Sequence, residues 1–448
     1  MLQRLRSWTQ DSLLRGVIKN SSYLFSSNAV AIFLSMLQGI LAARLLGAED
    51  YGIVAAVVIP FTSSINRLLS FRMSELVVKY LGKSLADGRK ERTAAVVKGA
   101  ALVELLTSTL AYLVLLLLLP FAARYLAKDI NTAYLFGIYG LVLLGYGFYE
   151  TSTGVLQATK RFAQIAKIQL LQNVITVALI FFAFITHGGM LEVVLAYLIG
   201  KVCGAFVLYG IAFRSLRQEL GEGWWKEPFG WLPDLKELGH FAVSTNLQGT
   251  VNLIVRDSET LFITALSSPT EAGYFKIALS VINFVMMPVE PFIATTYSEI
   301  SRTIAQKQYS LTQQLLKRIT LITGSWSAAS GGFLVVFGYW LIPWVYGIEF
   351  KPAYPAVLIL LLGYGCANVF NWNRPLLLAL GLPGYPLKIS AWVGLVKTVM
   401  TLYFLPIWGY LAEAAILSGY LIITVLANVW RGLRQLKLVE KQPGIAVQ

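Results

Sequence analysis

Three arginines stand inside long apolar stretches of this chain: Arg67, Arg256 and Arg374. A guanidinium group offers a planar fork of donors that matches phosphate bidentately. Each arginine lies on a polar face. Ser63, Asn66, Arg67 and Ser70 form the first, and Asn368, Asn371 and Arg374 the second. Thr245, Gln248, Asn252, Arg256 and Glu259 recur at helical spacing as the third, with Asn246, Thr250 and Asp257 on the neighbouring strip. The chemistry open to these faces is anion binding by Arg67, Arg256 and Arg374, with Asn252 and Asn371 as amide partners. The carboxylates Asp257, Glu259 and Glu290, the last set between Pro288 and Pro291, suit a bound H+ or Na+, or a structural ion pair with Arg256. Lys201, Lys397, Asn66 and Glu150 are weaker candidates to line a cavity.

A charge at the centre of a membrane helix costs about 2.5–3.5 kcal/mol. Arg67, Lys201, Arg256, Arg374 and Lys397 are therefore expected to face protein or water, unless those near helix ends snorkel to the headgroups. Glu104, Glu150, Asp257, Glu259 and Glu290 are the acidic counterparts. No catalytic constellation accompanies them. The sequence has no GxxxxGK[ST], CxxC or HExxH motif, and its two cysteines, Cys203 and Cys366, sit in apolar runs as small core residues. His187 and His240 have no partner cluster, so neither metal nor cofactor is expected.

The elements that must hold these residues are membrane spans. The chain is 56% hydrophobic and 13% charged, against about 25% charged in soluble domains. Its net charge of +14 is better explained by positive loops on one membrane face than by nucleic acid. About twelve apolar stretches are long enough to cross a hydrocarbon core of about 30 Å. They fall at 21–43, 53–72, 99–123, 133–155, 168–186, 190–213, 240–264, 274–298, 319–341, 355–380, 389–406 and 412–430. The first run is long enough to span, so no cleavable signal peptide is read there.

With both termini in the cytoplasm, most of the 37 basic residues fall on the inner side. Arg44, Arg124, Lys128, Lys276 and Lys351 fall on the other. That bias fixes the expected orientation.

The chain also repeats itself. Leu46-Gly47-Ala48-Glu49-Asp50-Tyr51-Gly52 joins the first two spans, and Leu266 to Tyr274 joins the seventh and eighth. Met73-Ser74-Glu75-Leu76 and Tyr297-Ser298-Glu299-Ile300 echo one another downstream. Repeated membrane halves enclosing a central path are a transporter signature. The expected division is a six-helix lobe at 1–213, a cytoplasmic linker at 214–238 with Trp224, Trp225 and Trp231, and a second six-helix lobe at 239–448.

The junction Ala43-Arg44-Leu45-Leu46-Gly47-Ala48-Glu49-Asp50-Tyr51-Gly52 resembles that of Wzx-type polysaccharide transport proteins. These are lipid-linked oligosaccharide flippases of the multidrug/oligosaccharidyl-lipid/polysaccharide exporter superfamily. The basic loop Lys83 to Lys98 and the junction Glu271-Ala272-Gly273-Tyr274 fit as well. The resemblance implies an all-α fold, two six-helix bundles in a V around a cavity, and alternating access. It implies an undecaprenyl-pyrophosphate-linked glycan as cargo, moved from the cytoplasmic to the periplasmic leaflet of the bacterial inner membrane, with the lipid tail riding outside. Arg67, Arg256 and Arg374 are where this sequence supplies cavity cations. A polysaccharide polymerase and chain-length proteins are the implied partners, and a monomer is the simplest assembly.

A second reading is an H+- or Na+-coupled multidrug or organic cation antiporter of the same superfamily, using Asp257, Glu259 and Glu290. A third is a glycan polymerase or membrane glycosyltransferase, against which the short outer loops and the repeat both argue.

Overall fold

The computed structural model describes residues 12–70, 73–86, 89–232, 246, 250, 253 and 258–441. Among these residues every regular element is helical. This is the outcome that hydrocarbon imposes, because a helix satisfies its own backbone polar groups. The first part of the chain forms α1 (Ser12–Tyr51), a π-helical turn (Gly52–Val58), α2 (Ile59–Leu69), α3 (Met73–Ala86) and α4 (Lys90–Phe121). It continues with α5 (Ala133–Gly145), α6 (Tyr149–Ala158), α7 (Phe162–Ile185) and α8 (Met190–Leu220). After the joint come α9 (Glu259–Leu266), α10 (Pro269–Met286), α11 (Glu290–Ala305) and α12 (Tyr309–Tyr346). The chain ends with α13 (Ala353–Val369), α14 (Asn373–Ala379) and α15 (Gly384–Lys441).

Among the described residues eight helical stretches are long and apolar enough to cross a membrane. Two of them hold two crossings each. Val30–Leu69 bends at Gly47 (φ 72°), and Gly384–Glu440 bends at Gly409 (φ 62°). Both are left-handed conformations that glycine adopts without strain. The eighth predicted span is built from α10 and α11. The surface confirms the environment: Leu117, Trp344, Leu362 and Trp392 are each more than two-thirds exposed. Exposed apolar side chains on such a scale suit lipid rather than water. The protein is an all-α, multi-pass membrane protein.

Contacts divide the chain into two compact units. One is Leu37–Gly273, and the other combines Met1–Met36 with Tyr274–Gln448. Each has its own core, and the cores are built alike. In the first, Leu76, Val77 and Leu81 of α3 pack with Val97 of α4, Leu156 of α6 and Leu208 of α8. In the second, Ile300 of α11 packs with Leu316 and Ile319 of α12, Leu376 of α14 and Val425 of α15. The sequence repeat is thus also a repeat of cores.

The two repeat junctions meet inside the first unit. A Cβ on Gly273 would lie 2.7 Å from the Ala48 carbonyl oxygen and 3.3 Å from the Gly52 Cα. A Cβ on Gly52 would overlap the Pro269 carbonyl. Gly52 corresponds to Gly273 in the repeat, and Ala48 to Pro269, so the contact is two-fold. Only glycine permits backbones to approach this closely.

The joint between the repeats begins on α8, which runs past residue 214 to Leu220. It continues through short turns at Trp224–Lys226 and Phe229–Trp231. Lys98 of α4 donates to the carbonyls of Trp225 (3.2 Å) and Glu227 and stands 4.6 Å from the Phe229 ring centre. Trp225 and Trp231 are exposed, as residues at a headgroup interface would be.

Candidate functional site

The second and fourth spans of each copy are interrupted. In the first copy the breaks fall between α2 and α3 and, at Tyr146-Gly147-Phe148, between α5 and α6. In the second they fall at Met287-Pro288-Val289 and, at Phe370-Asn371-Trp372, between α13 and α14. A broken membrane helix exposes backbone groups that need partners, and transporters place binding sites at such breaks.

In the first unit two carboxylates supply those partners. Glu104 of α4 is only 3% exposed. Its Oε1 accepts from the Glu150 N–H at 2.7 Å, and its Oε2 from the Thr151 N–H at 2.8 Å. These are two of the orphan donors at the start of α6. Glu150 in turn accepts from the Ser74 hydroxyl (2.5 Å) and backbone N–H (3.3 Å) at the start of α3. One carboxylate therefore closes the fourth-span break and the next closes the second-span break.

Arg67 lies in the last turn of α2, directly before the second-span break, and is exposed, with Asn66 half-buried beside it. Ser70 turns to an extended conformation there (ψ 137°). The Asn246 amide donates to the carbonyls of Arg67 (3.4 Å), Leu68 (3.3 Å) and Ser70. Thr250 donates to Asn246 Oδ1 at 3.3 Å. Asn246 of the seventh predicted span thus docks on the end of the helix that carries Arg67. Glu259 begins α9 in the same unit and is 6% exposed. Arg256, Asp257 and Asn252 lie outside the described residues. Lys201 is half-buried, donates to the Tyr139 hydroxyl at 2.7 Å and stands 5.5 Å from that ring's centre.

In the second unit the fourth-span break is lined by neutral amides. Asn373 donates to the Phe370 carbonyl (2.8 Å) and accepts from Asn428 (3.1 Å). Trp372 donates to Thr320 (2.7 Å), and Thr323 donates to the Val369 carbonyl (3.2 Å). Asn371 is 6% exposed, and neither end of its amide has a partner among the described residues. Arg374, in the first turn of α14, is exposed. Glu290 begins α11, and its side chain lies outside the described residues.

Lys397 is placed differently from the arginines. It is 6% exposed and pairs with Glu413 at 3.4 Å across the Gly409 bend. Thr401, one turn from Lys397, donates to the other Glu413 oxygen at 2.6 Å. Glu413 is wholly buried. Sequence reasoning missed it because it sits one turn after Gly409, where a span edge is expected. Its partner becomes visible only once α15 is known to fold back. Glu104 was legible as an intramembrane acid, but its role as a cap was not, since nothing in Tyr146-Gly147-Phe148 announces a break.

The comparisons agree with this architecture. An inward-facing multidrug resistance MATE family transporter of the MOP superfamily superposes with a TM-score of 0.72 at 12% identity, over 92% of this chain and 96% of that one. The lipid II flippase MurJ in its inward closed conformation superposes with a TM-score of 0.70 at 15% identity, over 94% of this chain and 90% of that one. The fold is therefore shared with MOP-superfamily transporters. In sequence, the chain is 24% identical over 354 residues to the inner membrane protein YghQ of Escherichia coli (strain K12), covering 79% of this chain and 99% of that protein. Residues 40–355 match the family described as polysaccharide biosynthesis protein. With that match covering most of its length, on a repeated and twice-broken helical scaffold, the chain belongs to the polysaccharide biosynthesis protein family.

Proposed function

We propose that this protein is a transporter that flips an undecaprenyl-pyrophosphate-linked oligosaccharide from the cytoplasmic to the periplasmic leaflet of the bacterial inner membrane. The flipped unit would feed surface polysaccharide synthesis as O-antigen, capsule or exopolysaccharide. The observation that carries the reading is Arg67: an exposed guanidinium at a helix break in a membrane-spanning unit, in a family named for polysaccharide biosynthesis. A diphosphate presents charge and acceptors only, and an arginine fork meets both needs. Arg374 is a second exposed guanidinium beside a break, in the first turn after the fourth-span break of the second unit.

In this reading the lobes 1–213 and 239–448 rock about the linker 214–238, and both termini face the cytoplasm. Arg67, Arg256 and Arg374 hold the pyrophosphate. Asn252, Asn371 and Asn66 bond the glycan. Asp257, Glu259 and Glu290 serve a coupling H+ or Na+, or neutralise Arg256. A polymerase and chain-length proteins receive the product. The fold shared with the flippase MurJ and the inner-membrane assignment of YghQ support the reading.

The test is a deletion strain complemented with the wild-type gene or with Arg67, Arg256 and Arg374 all changed to Ala. Deletion is expected to leave lipid-linked glycan on the inner leaflet. The triple variant, at normal protein level, is expected to behave like the deletion. Intact surface glycan in the deletion strain with altered drug susceptibility would favour the antiporter instead.

A further inference from the structure

We propose that a cavity within the second unit holds a segment of the substrate's polyprenyl chain during transport. The proposal rests on the lipid-linked reading above and places the lipid inside the unit, not only along its outside. The cavity has a volume of about 460 Å³, within the range of small-molecule sites. It lies among α10, α12 and α13. Ile282, Val285, Leu358 and Leu361 form its walls, and Val335 and Leu362 its rim.

Three features select the occupant. The rim comes first. Val335 and Leu362 are 55% and 68% exposed on helices that cross the membrane, so the mouth is an apolar opening continuous with the surface facing hydrocarbon. A water-soluble ligand would have to cross that layer, whereas a lipid chain is already in it. The bore comes second. Gly331, Gly332 and Gly365 line it, and a Cβ added to Gly332 or Gly365 meets no atom within 4 Å. With no side chain at these three positions, the cavity leaves room for the methyl branches of an isoprenoid.

The third feature is Asn368, which is 1% exposed. Its Nδ2 donates to the Ser327 hydroxyl at 2.9 Å, while its Oδ1 has no partner among the described residues. A buried acceptor in apolar surroundings marks a place where another group bonds. Phosphate oxygens only accept, so the complementary group is a hydroxyl or a water, as occurs where a chain meets its hydrated headgroup. Asn368 and Leu358 are separated by about 15 Å of helix at 1.5 Å per residue, which gives the site a polar end and an elongated apolar body.

The experiment uses the full-length protein in phospholipid nanodiscs with a polyprenyl diphosphate carrying a diazirine on its chain. Labelled peptides are read by mass spectrometry. The expected result is labelling of α12 near Gly331–Val335 and of α13 near Leu358–Gly365, displaced by unlabelled polyprenyl diphosphate. Gly332→Trp should fill the bore, reduce that labelling to background and slow flipping, with an unchanged unfolding temperature. Gly365→Leu serves as a second, smaller plug. Absence of label at these segments would overturn the proposal. So would equal labelling by a diazirine phosphatidylethanolamine that polyprenyl diphosphate does not displace, or full-rate flipping by a plugged variant that has lost its label. Specific labelling of a protein that moves no lipid-linked glycan would instead overturn the flippase reading and leave the site standing.

Discussion

The two broken fourth spans solve one structural problem with opposite chemistry. Between α5 and α6 the orphan N–H groups are met by the carboxylate of Glu104, and Glu150 passes the same service on to α3. Between α13 and α14 the surroundings are asparagine and threonine, and Asn371 keeps an amide with no partner among the described residues. The first break is a closed structural joint. The second retains unused hydrogen-bonding capacity beside an exposed arginine, Arg374. A repeat fixes where helices break, and the residues at each copy decide whether the break holds the fold together or offers itself to a ligand.

That contrast can be broken by substitution. The largest expected effect is at the buried pair in α15. Lys397→Met removes the cation paired with the buried Glu413 carboxylate, a loss of about 3–5 kcal/mol. Adding Glu413→Leu should restore most of it, because two apolar groups replace the pair. Thermal unfolding of the single and double variants in detergent measures this. Should the double variant prove as unstable as the single one, the pair is not what holds the bend.

The next effect concerns the first break. Glu104→Leu orphans the buried Thr151 N–H, at about 1–3 kcal/mol, and the half-buried Glu150 N–H at less. Glu104→Gln keeps one acceptor and should lose about half as much. Equal stability of wild type and Glu104→Leu would remove the distinction between the two joints.

A smaller loss is expected at the junction contact. Gly273→Ala forces a methyl group against the Ala48 carbonyl, an overpacking cost of about 1–3 kcal/mol. Gly52→Ala should match or exceed it, since its Cβ would overlap the Pro269 carbonyl.

The smallest stability change belongs to the second break. Asn371→Leu replaces this buried amide with an apolar side chain of similar size, which is near neutral for folding. Flipping should nevertheless fall under the proposed role of this amide in bonding the glycan. A variant that is both stable and fully active would make Asn371 a bystander.

The sequence made the scaffold legible because apolar runs of membrane length and a repeated junction are both one-dimensional signals. It also showed the polar face of Arg67, whose spacing follows helical periodicity, whereas the face read through Asn368, Asn371 and Arg374 is split by the break at Phe370-Asn371-Trp372. The breaks were harder to see. Only the one at Pro288 carries a proline, and Tyr146-Gly147-Phe148 reads as uninterrupted apolar helix. The pairing of Lys397 with Glu413 could not be read, because it depends on α15 reversing at Gly409. The docking of Asn246 against the end of α2 is likewise tertiary, since the two elements lie far apart in sequence.

The central claim is that this protein moves lipid-linked glycan between leaflets, and reconstitution tests it most directly. Purified protein in liposomes is given an undecaprenyl-pyrophosphate oligosaccharide, and a membrane-impermeant reagent that modifies the glycan reports how much lies in the outer leaflet over time. The account predicts that the protected half becomes accessible with wild-type protein and stays protected when Arg67, Arg256 and Arg374 are all Ala. Protection identical in wild-type and protein-free liposomes, under every ion gradient applied, would contradict it.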